Sequence, residues 1–509
     1  MVDKFTEVFG GKDTIPIVPT FGNNDVMPHN IMKTGPNRWT KKYREVWHKF
    51  IPEHQRHSFV EGGWFVFEVI PDELAVISLN TLYFFDSNSA VDGCDAKSEP
   101  GYEHMEWLRI QLEMLRTRDM KAILIGHVPP ARSGSKRSWD ETCWQKYTLY
   151  VNRFRDVVVG SAYGHMNIDH FMLQDSRKVD ITASSESIVS SDLYDDSGEI
   201  SIQSRYDYLS SLRKDWSSLP SPPDGMPKGS FLADGWFEEE QEDATRSKSS
   251  NPKKKQKKFL KKIGGPWAER YSVSLVSPSV VPNFFPTLRV VEYNISGLET
   301  KISADAPTYN NLGMANVVHD EDGLSADKKK KKSKDKVPKP PSPTAPPGPA
   351  YSNQALTWLG YTQYFANLTE INRQMAQRHQ TSADEFSDSD QDNGARELNL
   401  ADVFTFEVEY DTRNDKIYKM EDLTVRSFFK LAKRIAKNKA GKNDIWVEDA
   451  TAGELDANAS GTVDDIGDEL EVEKKKKKKH KKPKNRTWRA FLERAFVGTL
   501  DRDELDDIE

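Results

Sequence analysis

Apolar residues fall into two rhythms along this chain, and the switch between them marks its elements. Continuous runs at 15–20 (IPIVPT), 122–125 (AILI) and 157–159 (VVV) have the length and β-branched makeup of buried strands. Each leads into a glycine-bearing polar loop: Phe21-Gly22-Asn23-Asn24-Asp25, Gly126-His127-Val128-Pro129-Pro130, and 160–171 (GSAYGHMNIDHF). Loops at strand ends are where functional side chains collect. Spacing of three and four predicts helices at 40–60 on Tyr43, Val46, Trp47 and Phe50, and at 104–118 on Met105, Leu108, Leu112 and Leu115. It predicts others at 142–155 on Trp144, Tyr147, Val151 and Phe154, at 425–436 and at 487–497. Residues 2–12 read as the end of a helix, stopped by Gly10-Gly11. Further strands are expected at 64–70 and 75–85 as a hairpin, then at 121–128, 157–160 and 171–173. Two returning strands at 271–276 and 287–293 have 282–286 as the turn between them. Strands alternating with helices imply an α/β layer fold.

Between these elements the patterning fades. Residues 184–265 are rich in Ser, Asp and Lys and read as a disordered insertion. The stretch 301–349 reads as a Lys/Pro-rich arm, and 437–486 as an acidic and then lysine-rich one. Residues 1–183 and 266–300 then form one domain, the aromatic segment 350–436 packs on it, and 487–509 supplies a last helix and an acidic tail. Composition agrees: of 509 residues 37% are hydrophobic, and the mean hydropathy is −0.71, low for a chain folded throughout.

The formal net charge of −7 conceals blocks. Lysine runs at 253–262, 328–339 and 474–484 alternate with acidic stretches at 464–473 and 501–509. The runs read as solvated arms, with neutralisation of a polyanion as the alternative. Two cysteines, Cys94 and Cys143, exclude a disulfide framework and leave one bridge or two unlinked thiols open. Sequons at Asn294, Asn367, Asn458 and Asn485 are glycosylation candidates if the chain is lumenal. No apolar run reaches the roughly 18 residues of a membrane helix, and the first 30 residues lack a signal-peptide core.

Asn23, His127 and His165 each stand in one of the three strand-end loops, and an amide oxygen with two imidazoles makes a ligand set for Mn, Fe or Zn. These blocks resemble the calcineurin-like metallophosphoesterases, and among them the fungal endopolyphosphatases. Gly22-Asn23-Asn24-Asp25 is similar to the family's Gly-Asn-His-Asp/Glu block, Gly126-His127 to its lone histidine after a strand, and Gly164-His165-Met166-Asn167 to its Gly-His-x-His. Stretches at 78–95, 284–297, 351–372 and 494–498 extend the likeness.

The resemblance implies a β-sandwich flanked by helices and two divalent metal ions (Mn, Mg, Zn, Fe or Co). It makes Asn23, His127, His165 and Asn167 ligands, with Asn24 at the position of the usual general-acid histidine. His29 is a candidate substitute acid, or a structural residue. Arg132, Lys136 and Arg137, just past His127, are expected to guide an anionic substrate. The implied reaction is hydrolysis of internal phosphoanhydride bonds of inorganic polyphosphate, without specific nucleic-acid recognition, by a type II vacuolar membrane protein. A sphingomyelinase-like phosphodiesterase would call for a histidine at 24, and a non-enzymatic polyanion-binding paralogue is the other alternative. The family's Asp-x-His and Gly-Asp-x-x-Asp blocks do not occur before Gly22. The expectation is therefore a reading frame begun at an internal Met1, its membrane segment upstream, and a chain that by itself binds metal weakly.

Overall fold

The computed structural model describes residues 2–10, 15–134, 136–179, 202–223, 252–280, 283–298, 337–385, 403–437 and 485–508. In chain order these carry α1 (Val2–Phe9), α2 (Arg38–Val46), α3 (Arg56–Gly62), β1 (Phe65–Ile70), β2 (Leu74–Ser78), α4 (Pro100–Thr117) and β3 (Lys121–Ile125). A two-stranded ribbon, β4 (Arg132–Ser133) and β5 (Lys136–Arg137), precedes α5 (Glu141–Arg153), β6 (Val158–Tyr163) and β7 (His170–Asp175). Then come α6 (Ile202–Ser217), α7 (Pro252–Ile263), β8 (Tyr271–Val276), β9 (Thr287–Tyr293), β10 (Trp358–Phe365), α8 (Leu368–Glu385) and β11 (Glu407–Asp411). The last are α9 (Val425–Ile435), α10 (Arg486–Ala495) and α11 (Arg502–Ile508).

A six-stranded sheet in the order β1-β2-β3-β6-β8-β7 forms the centre. Strands β2, β3, β6 and β8 run parallel, while β1 and β7 close the edges antiparallel. A parallel sheet must be covered on both faces. Helices α4 and α5 pack together on one, where the Tyr163 hydroxyl on β6 donates to that of Tyr147 on α5 at 2.6 Å. Toward the other, Phe171 of β7 stacks on Trp216 of α6 at 4.7 Å and meets Phe428 of α9 and Phe491 of α10. The antiparallel sheet β11-β10-β9 approaches β6 through Trp358. A Cβ on Gly160 would lie 2.7 Å from that indole, so only glycine admits it. The result is the mixed α/β architecture that the alternation of elements predicts.

Several expectations are corrected. Residues 15–21 are extended but belong to neither sheet, because Pro16 and Pro19 lack the amide donors a ladder needs. The segment is held by side chains, Ser78 Oγ donating to the Pro19 carbonyl and Thr20 Oγ1 to that of Leu79. The expected helix at 40–60 breaks in two: α2 starts two residues early on the Asn37 cap and ends at Val46, capped by Trp47, and α3 resumes after Pro52. Strand β2 stops at Ser78, where Asn80 caps a 3-10 turn over Thr81–Tyr83. Strands β8 and β9 enter different sheets and are not a hairpin. The insertion at 184–265 carries two helices: α6 buries Tyr208, Leu209, Leu212 and Trp216, and α7 buries Phe259 and Ile263. Polar composition hid both short apolar stripes. The lysine runs at 328–336 and 474–484 and the acidic stretch at 464–473 lie outside the described residues. Among the described residues no helix is long and apolar enough to cross a membrane.

Two buried features have measurable consequences. Cys94 and Cys143 form a disulfide joining the loop before α4 to α5 across 49 residues. Closing a loop of that length contributes roughly 4 kcal/mol in the chain-entropy account; the paired Cys94→Ala, Cys143→Ala variant is expected to lose about 2–4 kcal/mol in urea titrations. His104 is fully buried between Trp64, 4.3 Å from its ring, and Phe84, 4.7 Å away. Burial pushes its pKa down to about 3, against a small opposing effect of the Asn80 backbone. Below pH 6.5 the unfolded chain takes a proton that the native state refuses, so stability is present above 6.5 and drains away as the pH falls toward 3. His104→Phe, which keeps the ring stack, should remove about 1.4 kcal/mol of acid destabilisation per pH unit between 6 and 4. An unchanged acid limb would show that this ring is not the proton acceptor.

Candidate active site

Because β3 and β6 are parallel neighbours, the loops that follow them leave the same edge of the sheet, where open α/β sheets bind ligands. Gly126-His127 and Gly164-His165 come directly off these strands. The Gly164 amide donates to the His127 carbonyl at 3.0 Å, and that of Gly126 to Ala162 at 3.2 Å. Thr81 Oγ1 accepts from the amides of both His127 and Val128. His165 holds φ +69° and Asn167 φ +56°, left-handed conformations that non-glycine residues adopt at a cost of about 1–3 kcal/mol and that gather at functional sites. The third loop arrives from the extended segment 15–20 and places Asn23 on a 3-10 turn, closed by the Gly22 amide donating to Asp25 Oδ2 at 2.7 Å.

The three loops meet at one amide. Asn23 Oδ1 lies 2.7 Å from His127 Nε2 and 3.2 Å from His165 Nδ1. Its Nδ2 donates to Asn30 Oδ1 at 2.9 Å and to His29 Nε2 at 2.9 Å. Asn30 therefore decides which way the amide faces: with its oxygen accepting on one side, the Asn23 oxygen must face the imidazoles. His29, accepting at Nε2, carries its proton on Nδ1 when neutral. Burial pushes the His127 pKa down to about 4. It pushes His165 well below its ordinary value too, followed by the charges of His127, Lys136 and His29. Both rings are thus neutral near pH 7, the form that ligates metal.

The donor spacing suits a small cation. Ligands at bond lengths of about 2.1 Å around one ion stand roughly 3.0–3.4 Å apart; the 3.2 Å separation to His165 falls in that range, and the 2.7 Å separation to His127 lies just below it. The set is two imidazoles and an amide. Among the described residues no group of three or more His, Cys, Asp or Glu is placed to hold a metal.

The remaining candidates sort by position. Asn24 and His29 are exposed beside Asn23, and Asn167 is half-buried two residues past His165. Lys136 is near enough to His165 to oppose its protonation. Arg132 pairs with Glu141 and lies over the Trp144 ring at 5.6 Å. Arg137 is exposed, close enough to Asp86 to favour its ionisation. Of the sequons, Asn294 and Asn367 are half-buried, Asn367 directly ahead of α8, while Asn458 lies outside the described residues. Asn485 is corrected as a glycosylation site. It is buried, its carbonyl caps α10, and its Nδ2 donates to the carbonyls of Arg434, Ile435 and Lys437.

Sequence reasoning missed the supporting residues. Asn30 and Thr81 carry no motif. Asp169, four residues past His165, pairs with Arg289 of β9 at 2.7 Å and accepts from the Tyr410 hydroxyl of β11. Its amide donates to the Ala495 carbonyl of α10. The spacing of a buried acid to a partner 120 residues away is invisible in one sequence.

No protein-family model matches the chain. It is 42% identical to an endopolyphosphatase of Neurospora crassa, across 99% of this chain and 78% of that protein. Identity is 34% with an endopolyphosphatase of Debaryomyces hansenii, covering 83% of this chain and 60% of the relative. With that of Saccharomyces cerevisiae it is 31%, covering 86% and 68%. A likeness that runs through the sheet, the histidine loops and the C-terminal segments alike makes the chain a member of the fungal endopolyphosphatase family.

Proposed function

We propose that the Asn23–His127–His165 cluster is part of a metal centre and that the protein hydrolyses internal phosphoanhydride bonds of inorganic polyphosphate. The observation that carries this reading is one amide oxygen within 2.7 and 3.2 Å of two half-buried, neutral imidazoles at a shared sheet edge. The curated relatives are named for that activity. Nitrogen and oxygen donors of this kind suit Mn, Fe, Co or Zn, with Asn167 a further ligand and two ions in the complete centre. A bound ion would supply an activated water and neutralise phosphoryl oxygens. The protein's own part is to fix the ligands, through Asn30 on the amide and Thr81 on the His127 backbone, and to present Lys136 to an anionic substrate.

Asn24 cannot act as an imidazolium acid. The leaving group in this reaction is itself a phosphate of low basicity, which needs less protonation than an alkoxide. His29 is the proton carrier beside Asn23 for whatever assistance remains. The disulfide supports an oxidising compartment, in keeping with placement at the vacuole.

Three measurements bear on this. Incubated with Mn and long-chain polyphosphate, the protein should produce chains of intermediate length on gels before free phosphate accumulates; phosphate release without intermediates would mean attack at chain ends, and hydrolysis of a choline phosphodiester at a similar rate would favour the phosphodiesterase reading. His127→Ala should lower kcat/KM by at least about 100-fold, since the ion's stabilisation of the transition state is worth several kcal/mol. Asn30→Ala should cost roughly 10–100-fold in metal affinity, as for other residues that orient a ligand. Asn30→Asp, which keeps an acceptor for Asn23 Nδ2, should recover most of that loss, and equal loss in both variants would remove Asn30 from the site.

A further inference from the structure

Helix α7, PKKKQKKFLKKI, is the least self-consistent element in the described chain. Phe259 and Ile263, one turn apart, are buried in a small cluster with Ala268, Tyr271, Tyr351, Val425 and Phe429. The anchored stripe leaves Lys254, Lys255, Lys257, Lys258, Lys261 and Lys262 exposed on the remaining faces. Six pairs of these lysines stand three or four residues apart (254/257, 254/258, 255/258, 257/261, 258/261 and 258/262), and like charges at that spacing destabilise a helix. Among the described residues no carboxylate lies within ion-pair distance of any of the six. Exposed Arg177 and half-buried Arg270 add to the charge by donating to the carbonyls of Lys261 and Lys262, each at 2.8 Å. Only Arg270 is offset, by Asp175. Lys178 is exposed next to Arg177.

A solvated tail would spread such charge out. Here apolar anchors hold it on a rigid surface, and local rules are broken in this way where function demands it. The ligand that relieves the repulsion is a flexible polyanion, which gains affinity by releasing its own counterions. The location narrows the choice. Tyr271, against which the helix packs, opens β8, and Val276 at the far end of β8 pairs with Tyr163, directly before Gly164-His165. The lysines and the candidate metal centre thus lie at opposite ends of a strand about 17 Å long. A short anion cannot reach both, and a long one can.

We propose that α7 is a docking site for the polyphosphate chain at a distance from the bond being cut, so that a long polymer is held at two places and short chains at one. The proposal rests on polyphosphate being the substrate. Two full-length variants test it, one with all six lysines changed to Gln and one with all six changed to Arg. In EDTA, binding of long-chain polyphosphate is measured against salt concentration. The Gln variant should bind at least tenfold more weakly at low salt, with the slope of log affinity against log salt reduced by about 4, at roughly 0.7 per phosphate contact. The Arg variant should match the parent. With metal present, the Gln variant should raise KM for long chains about tenfold while leaving kcat and tripolyphosphate hydrolysis unchanged.

An unchanged salt slope and KM would overturn the docking site even if hydrolysis is normal. Equal affinity of the helix for single-stranded DNA of matched charge would overturn its assignment to polyphosphate. If the parent binds polyphosphate through α7 in EDTA but cleaves none with any metal, the proposed function fails and the docking site stands.

Discussion

The orientation of one side-chain amide governs the candidate site. Asn23 has two unlike ends, and each is claimed: the nitrogen by Asn30 and His29, the oxygen by His127 and His165. Turned over, the amide would set NH2 against two imidazole nitrogens and oxygen against the oxygen of Asn30. The orientation is therefore fixed from the nitrogen end of the amide, by Asn30 and His29. The convergence is otherwise set by the sheet, since parallel β3 and β6 deliver both histidines to one edge, and by the side-chain bonds that tie Pro19 and Thr20 to β2 and its end.

The loop of His165 is held from its other side by charge. Asp169 and Arg289 are both buried, and an ion pair so placed gains little net stability over an apolar pair, while loss of either partner leaves an uncompensated charge. Such a pair specifies position more than it stabilises. Arg289 also donates to Gln363 of β10, Tyr410 of β11 donates to Asp169, and the Arg494 guanidinium of α10 lies 4.1 Å from the Tyr410 ring. Burial and the Asp169 charge push the Glu409 carboxyl up to about 8, so this part of the network is neutral near pH 7. Three strands and a helix from the last half of the chain thus converge on the loop that carries a candidate ligand. Their aromatic density reflects that task.

What the sequence disclosed followed from the reach of each signal. Residues with helical or strand period against a large core were legible to within a few positions: the expected strands at 271–276 and 287–293 coincide with β8 and β9, and the helix at 425–436 with α9. Glycine followed by His at a strand end, and by Asn after the extended segment 15–20, was legible because a tight exit and a ligand-type side chain are local facts. Pairing was not. That β8 joins the central sheet and β9 the small one depends on long-range packing, and the prolines of 15–21 outweighed an apolar run that otherwise reads as a strand. Helix α7 was masked for a related reason. Its charge dominates any window average, yet two apolar residues one turn apart suffice to dock it.

Charge gives the site and the lysine helix a common logic. The described donors at Asn23, His127 and His165 are neutral, so a dication held there would keep most of its charge and favour anionic oxygens as its remaining ligands. A substrate carrying a negative charge on every unit meets that demand wherever along its length it is presented. Neutral donors alone discriminate poorly between one such unit and the next, and positions within a uniform polymer offer no chemical mark. The selection of an internal bond then has to come from where the rest of the chain is held. A fixed cationic surface a strand's length from the metal would impose such a distance, because a bond near a free end leaves too little polymer to span it.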